Sequence, residues 1–139
     1  MKSILLVDDE AAVCVELQRT LQELGYHVDV AHTFESALGS IGEARFDAIL
    51  VEFNLTTECG THPRTGGGIR LIRDLRTSGT TIPILVYTVM EGETYEATSL
   101  GAGADDFILK TTPILGLISR LRAQIERDDS ESEMKSHPV

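Results

Sequence analysis

Five short apolar runs, each followed by a stretch of helical spacing, constrain this chain more than any other feature. The runs are Ile4-Leu5-Leu6-Val7, His27-Val28-Asp29-Val30-Ala31, 47–53, Ile82-Pro83-Ile84-Leu85-Val86-Tyr87-Thr88 and Asp106-Phe107-Ile108-Leu109-Lys110. The central one carries four unbroken apolar residues, 48–51, which suits a strand covered on both faces. Between the runs, Val13, Leu17, Leu21 and Leu24 recur at helical spacing, as do Phe34, Ala37, Leu38 and Ile41. Ile69, Ile72 and Leu75 form a third stripe, 91–102 a weak acidic one, and Ile114, Leu117, Ile118, Leu121 and Ile125 the strongest. Strands alternating with helices predict an α/β fold with a parallel sheet covered on both sides. Right-handed crossovers then favour a doubly wound five-stranded sheet of order 2-1-3-4-5 with five helices.

The punctuation agrees. Gly25 ends the first helix, and Thr33 is a suitable N-cap for the second, which Gly39 and Gly42 weaken. Ser78-Gly79 stops the third helix, Gly101 and Gly103 mark the end of the fourth, and Thr112-Pro113 starts the fifth. The stretch 56–67 has neither periodicity nor an apolar anchor, so it is expected to be a long loop. Residues 1–127 are expected to form one domain and 128–139 a disordered polar tail.

Charge narrows the function. The chain has 139 residues, a net charge of −10 and a pI of about 4.7. That argues against a nucleic-acid partner, which wants a basic face, and against an anionic membrane surface. No stretch approaches the roughly 20 apolar residues of a membrane span, and the N-terminus is no signal peptide. Cys14 and Cys59 are expected to be free thiols of a cytoplasmic protein.

Polar residues end four of the apolar runs. Asp8 and Asp9 follow the first, Glu52 the third, Thr88 ends the fourth and Lys110 the fifth. In a parallel sheet these ends share one edge, where ligands bind. Three converging carboxylates would suit a hard divalent cation such as Mg²⁺. Lys110 adds a fixed positive charge and Thr88 a hydroxyl, the set needed by a phosphoryl group beside Mg²⁺. Singly, each has a plainer explanation: acids at strand ends often serve helix N-termini, and a lone Thr or Lys there is usually structural or solvated.

Taken together, these segments resemble the receiver domains of two-component response regulators, over about residues 2–127. The resemblance rests on Ile4–Glu10, on 46–55, on 83–88 and above all on Gly101-Ala102-Gly103-Ala104-Asp105-Asp106-Phe107-Ile108-Leu109-Lys110. It implies a flavodoxin-like doubly wound fold and no enzymatic turnover of its own. Asp8 and Asp9 would help hold Mg²⁺, weakly here, with Glu52 and the Asn54 backbone carbonyl. Thr88 would be the switch hydroxyl, Phe107 the aromatic that turns inward with it, and Lys110 the partner of the phosphoryl oxygens. The implied partners are proteins, a sensor histidine kinase or a downstream signalling protein. The chain would be a monomer or a weak homodimer through the face of the fourth helix, fifth strand and fifth helix, where Glu91, Glu93, Glu96 and Tyr95 lie.

Three departures stand out. Glu52 occupies the phosphoacceptor position, where the family has aspartate. The loop after Leu55 is about eight residues longer than usual. Lys110 is followed by Thr111, with the proline delayed to Pro113. A glutamate reaches further by about one bond length, in a site where ångström shifts are costly. It is therefore expected to reach Lys110 and Thr88 unmodified, so the usual phosphorylation is not expected. One alternative is a single-domain regulator that remains phosphorylatable on Glu52 or on a neighbour; another is an ordinary response regulator in which Glu52 is an engineered replacement. A flavodoxin-like electron carrier is disfavoured because Asp8-Asp9-Glu10 would repel a phosphate and there is no tryptophan. A phosphatase using Asp8 lacks an evident general acid. Cys59 and His62 alone make a poor metal site.

Overall fold

The five strands form one parallel sheet in the order 2-1-3-4-5, as the alternation predicts. In the computed structural model, which describes residues 1–56 and 66–136, strands and helices alternate along the described residues. They are β1 (Ser3–Val7), α1 (Ala11–Glu23), β2 (His27–Ala31), α2 (Phe34–Glu43) and β3 (Ala48–Val51), followed by α3 (Gly67–Thr77), β4 (Ile84–Thr88), α4 (Glu93–Ala102), β5 (Asp106–Leu109) and α5 (Ile114–Ser136). Leu6, Leu50 and Leu85 lie abreast across the three central strands.

Successive strand residues point to opposite faces, and this splits the core in two. Leu5, Val7, Ile49, Val51, Ile84 and Val86 pack with α2, α3 and α4. Ile4, Leu6, Ala48, Leu50 and Leu85 pack with α1 and α5. The continuous apolar runs of β1, β3 and β4 follow from this two-sided burial.

The helix ends explain themselves locally. Thr33 caps α2 reciprocally: its Oγ1 accepts from the Ser36 N–H and its own N–H donates to the Ser36 Oγ, both at 3.1 Å. Cap and packing offset Gly39 and Gly42, and the helix forms as expected. α4 starts at Glu93, two residues later than its acidic pattern suggests, and ends at Gly103 with a φ of 119°. Lys110–Thr111 is trans, as are all the described peptide bonds.

One arginine ties the end of α3 to two loops. Arg76 Nε donates to Gly103 O at 2.9 Å, Nη1 to Thr80 O and Ile82 O at 3.0 and 2.8 Å, and Nη2 to Asp105 at 2.9 Å. The same Asp105 oxygen accepts from the Ile84 N–H at the start of β4. Arg76→Ala is expected to cost about 2–3 kcal/mol, because several charge-assisted hydrogen bonds are lost together. Arg76→Lys should recover little, since an ammonium cannot fork to four acceptors. Urea unfolding of both variants checks this.

One expectation is corrected. Residues 128–136 continue α5 rather than forming a disordered tail. The buried stripe ends at Ile125, and beyond it Lys2 Nζ meets Asp129 at 2.8 Å while Arg127 meets Glu131 at 3.3 Å. Polar residues can extend a helix cheaply once packing has nucleated it, because only the first turn carries the nucleation cost. No helix among the described residues is long and apolar enough to cross a membrane. The expectations for Cys59, His62 and most of the long loop fall outside the described residues. Cys14 is a free, buried thiol.

Candidate functional site

The alternation that divides the core also selects which strand-end residues meet. Continued one step past the strands, it puts Asp8, Glu52 and Lys110 on the α1–α5 side, with Leu6, Leu50 and Ile108. Thr88 and Phe107 fall on the other side, with Val86.

Asp8 and Glu52 are each only 6% exposed. Lys110 Nζ lies between them, 2.7 Å from Asp8 Oδ2 and 3.1 Å from Glu52 Oε1. Asp8 Oδ1 accepts from the Glu10 N–H at 2.9 Å, which fixes the β1–α1 turn. Its backbone oxygen accepts from the Cys14 thiol at 3.5 Å and lies 2.9 Å from His32 Nδ1. Glu52 Oε2 is buried without a hydrogen-bond partner among the described residues. Tyr87 flanks the lysine, its ring centroid 6.0 Å from Nζ.

Three expected participants stand elsewhere. Asp9 is exposed and joins no group of three acidic, histidine or cysteine side chains among the described residues, so the three carboxylates expected to converge are two. Thr88 is fully buried, and its Oγ1 accepts from the Met90 N–H at 3.2 Å within its own turn. It makes no hydrogen bond to Glu52 among the described residues. Phe107 is turned inward and 8% exposed. Sequence reasoning does not reach the Glu10 amide, which holds the Asp8 carboxylate, nor the Cys14 thiol and His32 ring, which meet the Asp8 backbone oxygen.

Burial opposes the charge on Lys110, yet the hydrogen bond to Asp8 and the fields of Glu52 and Asp8 outweigh it and push its pKa up to about 12 from 10.5. A group raised in the folded state contributes fully below its unfolded value and loses that contribution as pH climbs through the folded one. Part of the stability should therefore disappear between about pH 10.5 and 12. Tyr87, raised mainly by burial, is protonated further up the pH scale than usual. Urea midpoints across this range should fall more steeply for the native sequence than for Lys110→Met. Burial likewise pushes the Cys14 thiol up to about 11, which leaves it protonated and unreactive at neutral pH.

Receiver domains generally bind Mg²⁺ at this position. The oxygen donors are of the right chemistry. Their arrangement is not: no three acidic, histidine or cysteine side chains among the described residues come together as a metal site. Lys110 already bridges the two buried carboxylates and offsets one of their two charges, and no third such side chain joins them among the described residues, so the pocket as assembled does not fit a divalent ion.

A doubly wound domain with the acids of β1 and β3 and the lysine of β5 meeting at the carboxyl edge has the build of a signalling receiver. The chain belongs to the response regulator receiver domain family, whose model matches residues 4–122. It is 35% identical over 133 residues to the response regulator MprA of Mycobacterium avium (strain 104), covering 96% of this chain and 55% of that protein. The MprA of Mycobacterium ulcerans (strain Agy99) is also 35% identical, over 136 residues, covering 98% and 55%. The chain thus spans about half the length of the curated relatives it matches. Among solved structures, the BeF3-activated N-terminal receiver domain of Klebsiella pneumoniae RstA superposes with a TM-score of 0.79 at 29% identity, covering 89% of this chain and 98% of that one. A CheY-like receiver domain protein from Methanospirillum hungatei JF-1 shares the fold, with a TM-score of 0.82 at 24% identity and coverage of 94% and 98%.

Proposed function

We propose that this receiver domain signals through protein contacts without the usual phosphorylation, with Glu52 partly standing in for a phosphorylated aspartate. The observation that carries this is the 3.1 Å contact between Lys110 Nζ and Glu52 Oε1 in a buried pocket. The family resemblance assigns that lysine to phosphoryl oxygens, and here the unmodified side chain already engages it. The inward Phe107 supports the same reading. Mimicry is partial, because a carboxylate has one charge and two oxygens where a phosphoryl group has nearly two charges and three terminal oxygens. Thr88, bonded within its own turn, is the part of the switch that Glu52 leaves unengaged.

The partners on this reading are proteins, a sensor histidine kinase or a downstream effector, met in the cytoplasm. The chain's role is recognition rather than turnover. A second reading is favoured by one observation: Glu52 Oε2 has no partner among the described residues, so it is the oxygen with capacity to accept a phosphoryl group.

Acetyl phosphate with Mg²⁺ separates the two. The native sequence is expected to show no phosphoryl mass increment, while Glu52→Asp gains one. A stoichiometric, base-labile adduct on Glu52 itself would overturn the proposal.

A further inference from the structure

We propose that Phe53 is a positioning residue that passes the placement of Gly66, the N-cap of α3, to the first turn of α4, by a route separate from Thr88 and Phe107. This goes beyond the reading of Glu52 and holds whether or not that residue is modified.

The strand alternation sets up the division. Glu52 faces Lys110 on one side of the sheet, and Phe53, the next residue, enters the core on the other side. The Phe53 ring is 7% exposed and meets the Tyr95 ring edge to face, with centroids 5.2 Å apart and planes at 84°. Tyr95 lies in the first turn of α4, so its ring is a fixed arm of that helix. Backbone approaches Phe53 closely as well. A Cβ built on Gly66 would stand 2.8 Å from Phe53 Cε1 and 2.7 Å from Phe53 O. Gly66 closes the long connection, has a φ of 55° and N-caps α3. The Gly68 N–H donates to Phe53 O at 3.0 Å, which fastens the start of α3 to the same residue.

Phe53 thus touches both the N-cap of α3 and the first turn of α4. Packed aromatic contacts have discrete arrangements rather than continuous give, so a shift of Gly66 must displace either the ring or Tyr95. Thr88 takes no part, since its hydroxyl is held within its own turn by the Met90 amide. The start of α3 thereby gains a lever on α4.

The test uses the full 139-residue chain and its amide NMR spectrum. Gly66→Ala is expected to move the amide signals of Glu93–Ala102, and the same substitution in a Phe53→Leu background should move them by less than about a third as much, as expected of groups coupled through one contact. Equal shifts in both backgrounds, or none in α4 with Phe53 intact, would overturn the proposal; a purely structural Phe53 would leave the response to Gly66→Ala unchanged. Should Gly66→Ala fail to fold, hydrogen exchange decides. Phe53→Leu alone should speed exchange in the first turn of α4 about two- to tenfold, the range an aromatic pair supports. That acceleration should vanish in a Tyr95→Leu background, and its persistence there would sink the relay.

Discussion

Lys110→Met is expected to remove about 3–5 kcal/mol of folding stability at neutral pH, the cost of leaving buried carboxylates without their counter-charge. Methionine keeps most of the stem's volume, so packing changes little and the electrostatic cost dominates. Asp8 and Glu52 are both more than nine-tenths buried, and Lys110 bridges them. Without the ammonium, two like charges share one low-dielectric pocket, and Glu52 Oε2 already lacks a partner among the described residues. Removing one of the charges should help: Lys110→Met with Glu52→Gln is expected to be more stable than Lys110→Met alone by at least about 1 kcal/mol, a coupling typical of groups in one network. Urea unfolding of the two single variants and the double variant completes the cycle. A loss below about 1 kcal/mol for Lys110→Met, the range of exposed ion pairs, would mean that water reaches the carboxylates and the site is not the closed pocket described.

The same contacts show what a sequence of this kind makes legible. The order of the sheet follows from apolar runs and helical stripes, and Asp8, Glu52 and Lys110 follow from their places at strand ends. Their partition from Thr88 is also encoded, since period-two alternation decides which face each residue serves. Convergence of strand ends hides that partition, because it treats one edge as a point when the edge has two faces. The third carboxylate fails for a related reason: Asp9 lies two residues past β1, where alternation no longer fixes direction, and it is exposed. Arg76 is one arginine among three on α3, and three of its four acceptors are backbone carbonyls that carry no residue signal. The extension of α5 is hidden because polarity imitates absence of structure, although a helix already anchored by Leu117, Leu121 and Ile125 needs little to continue.

Gly68→Ala is expected to be nearly as damaging as the loss of Lys110, and it reports on the same strand end from behind. Alanine in a helix is ordinarily the better residue by about 0.8–1.0 kcal/mol. At Gly68 the sign reverses. A Cβ there would fall inside the van der Waals shell of Glu52 O, 2.9 Å from the Glu52 carbonyl carbon and 3.0 Å from Phe53 O. All three are backbone atoms, so no flexible side chain can yield, and α3 must lift off the end of β3. Overpacking costs about 1–3 kcal/mol where side chains give way and more where backbone must move, so a net loss of about 3 kcal/mol is expected. Gly39→Ala supplies the contrast. It lies within α2 with nothing near its would-be Cβ, and should gain about 0.5–1 kcal/mol. The two substitutions are chemically identical, so opposite shifts in urea midpoint isolate the close approach. Function follows the same geometry. The carbonyl that the added methyl group would displace belongs to Glu52, so whatever of the variant folds should carry a weakened Lys110 contact, visible as a shallower loss of stability between about pH 10.5 and 12. A Gly68→Ala protein as stable as the native one would mean that α3 and β3 separate freely, and that the position of Glu52 is not set by the helix behind it.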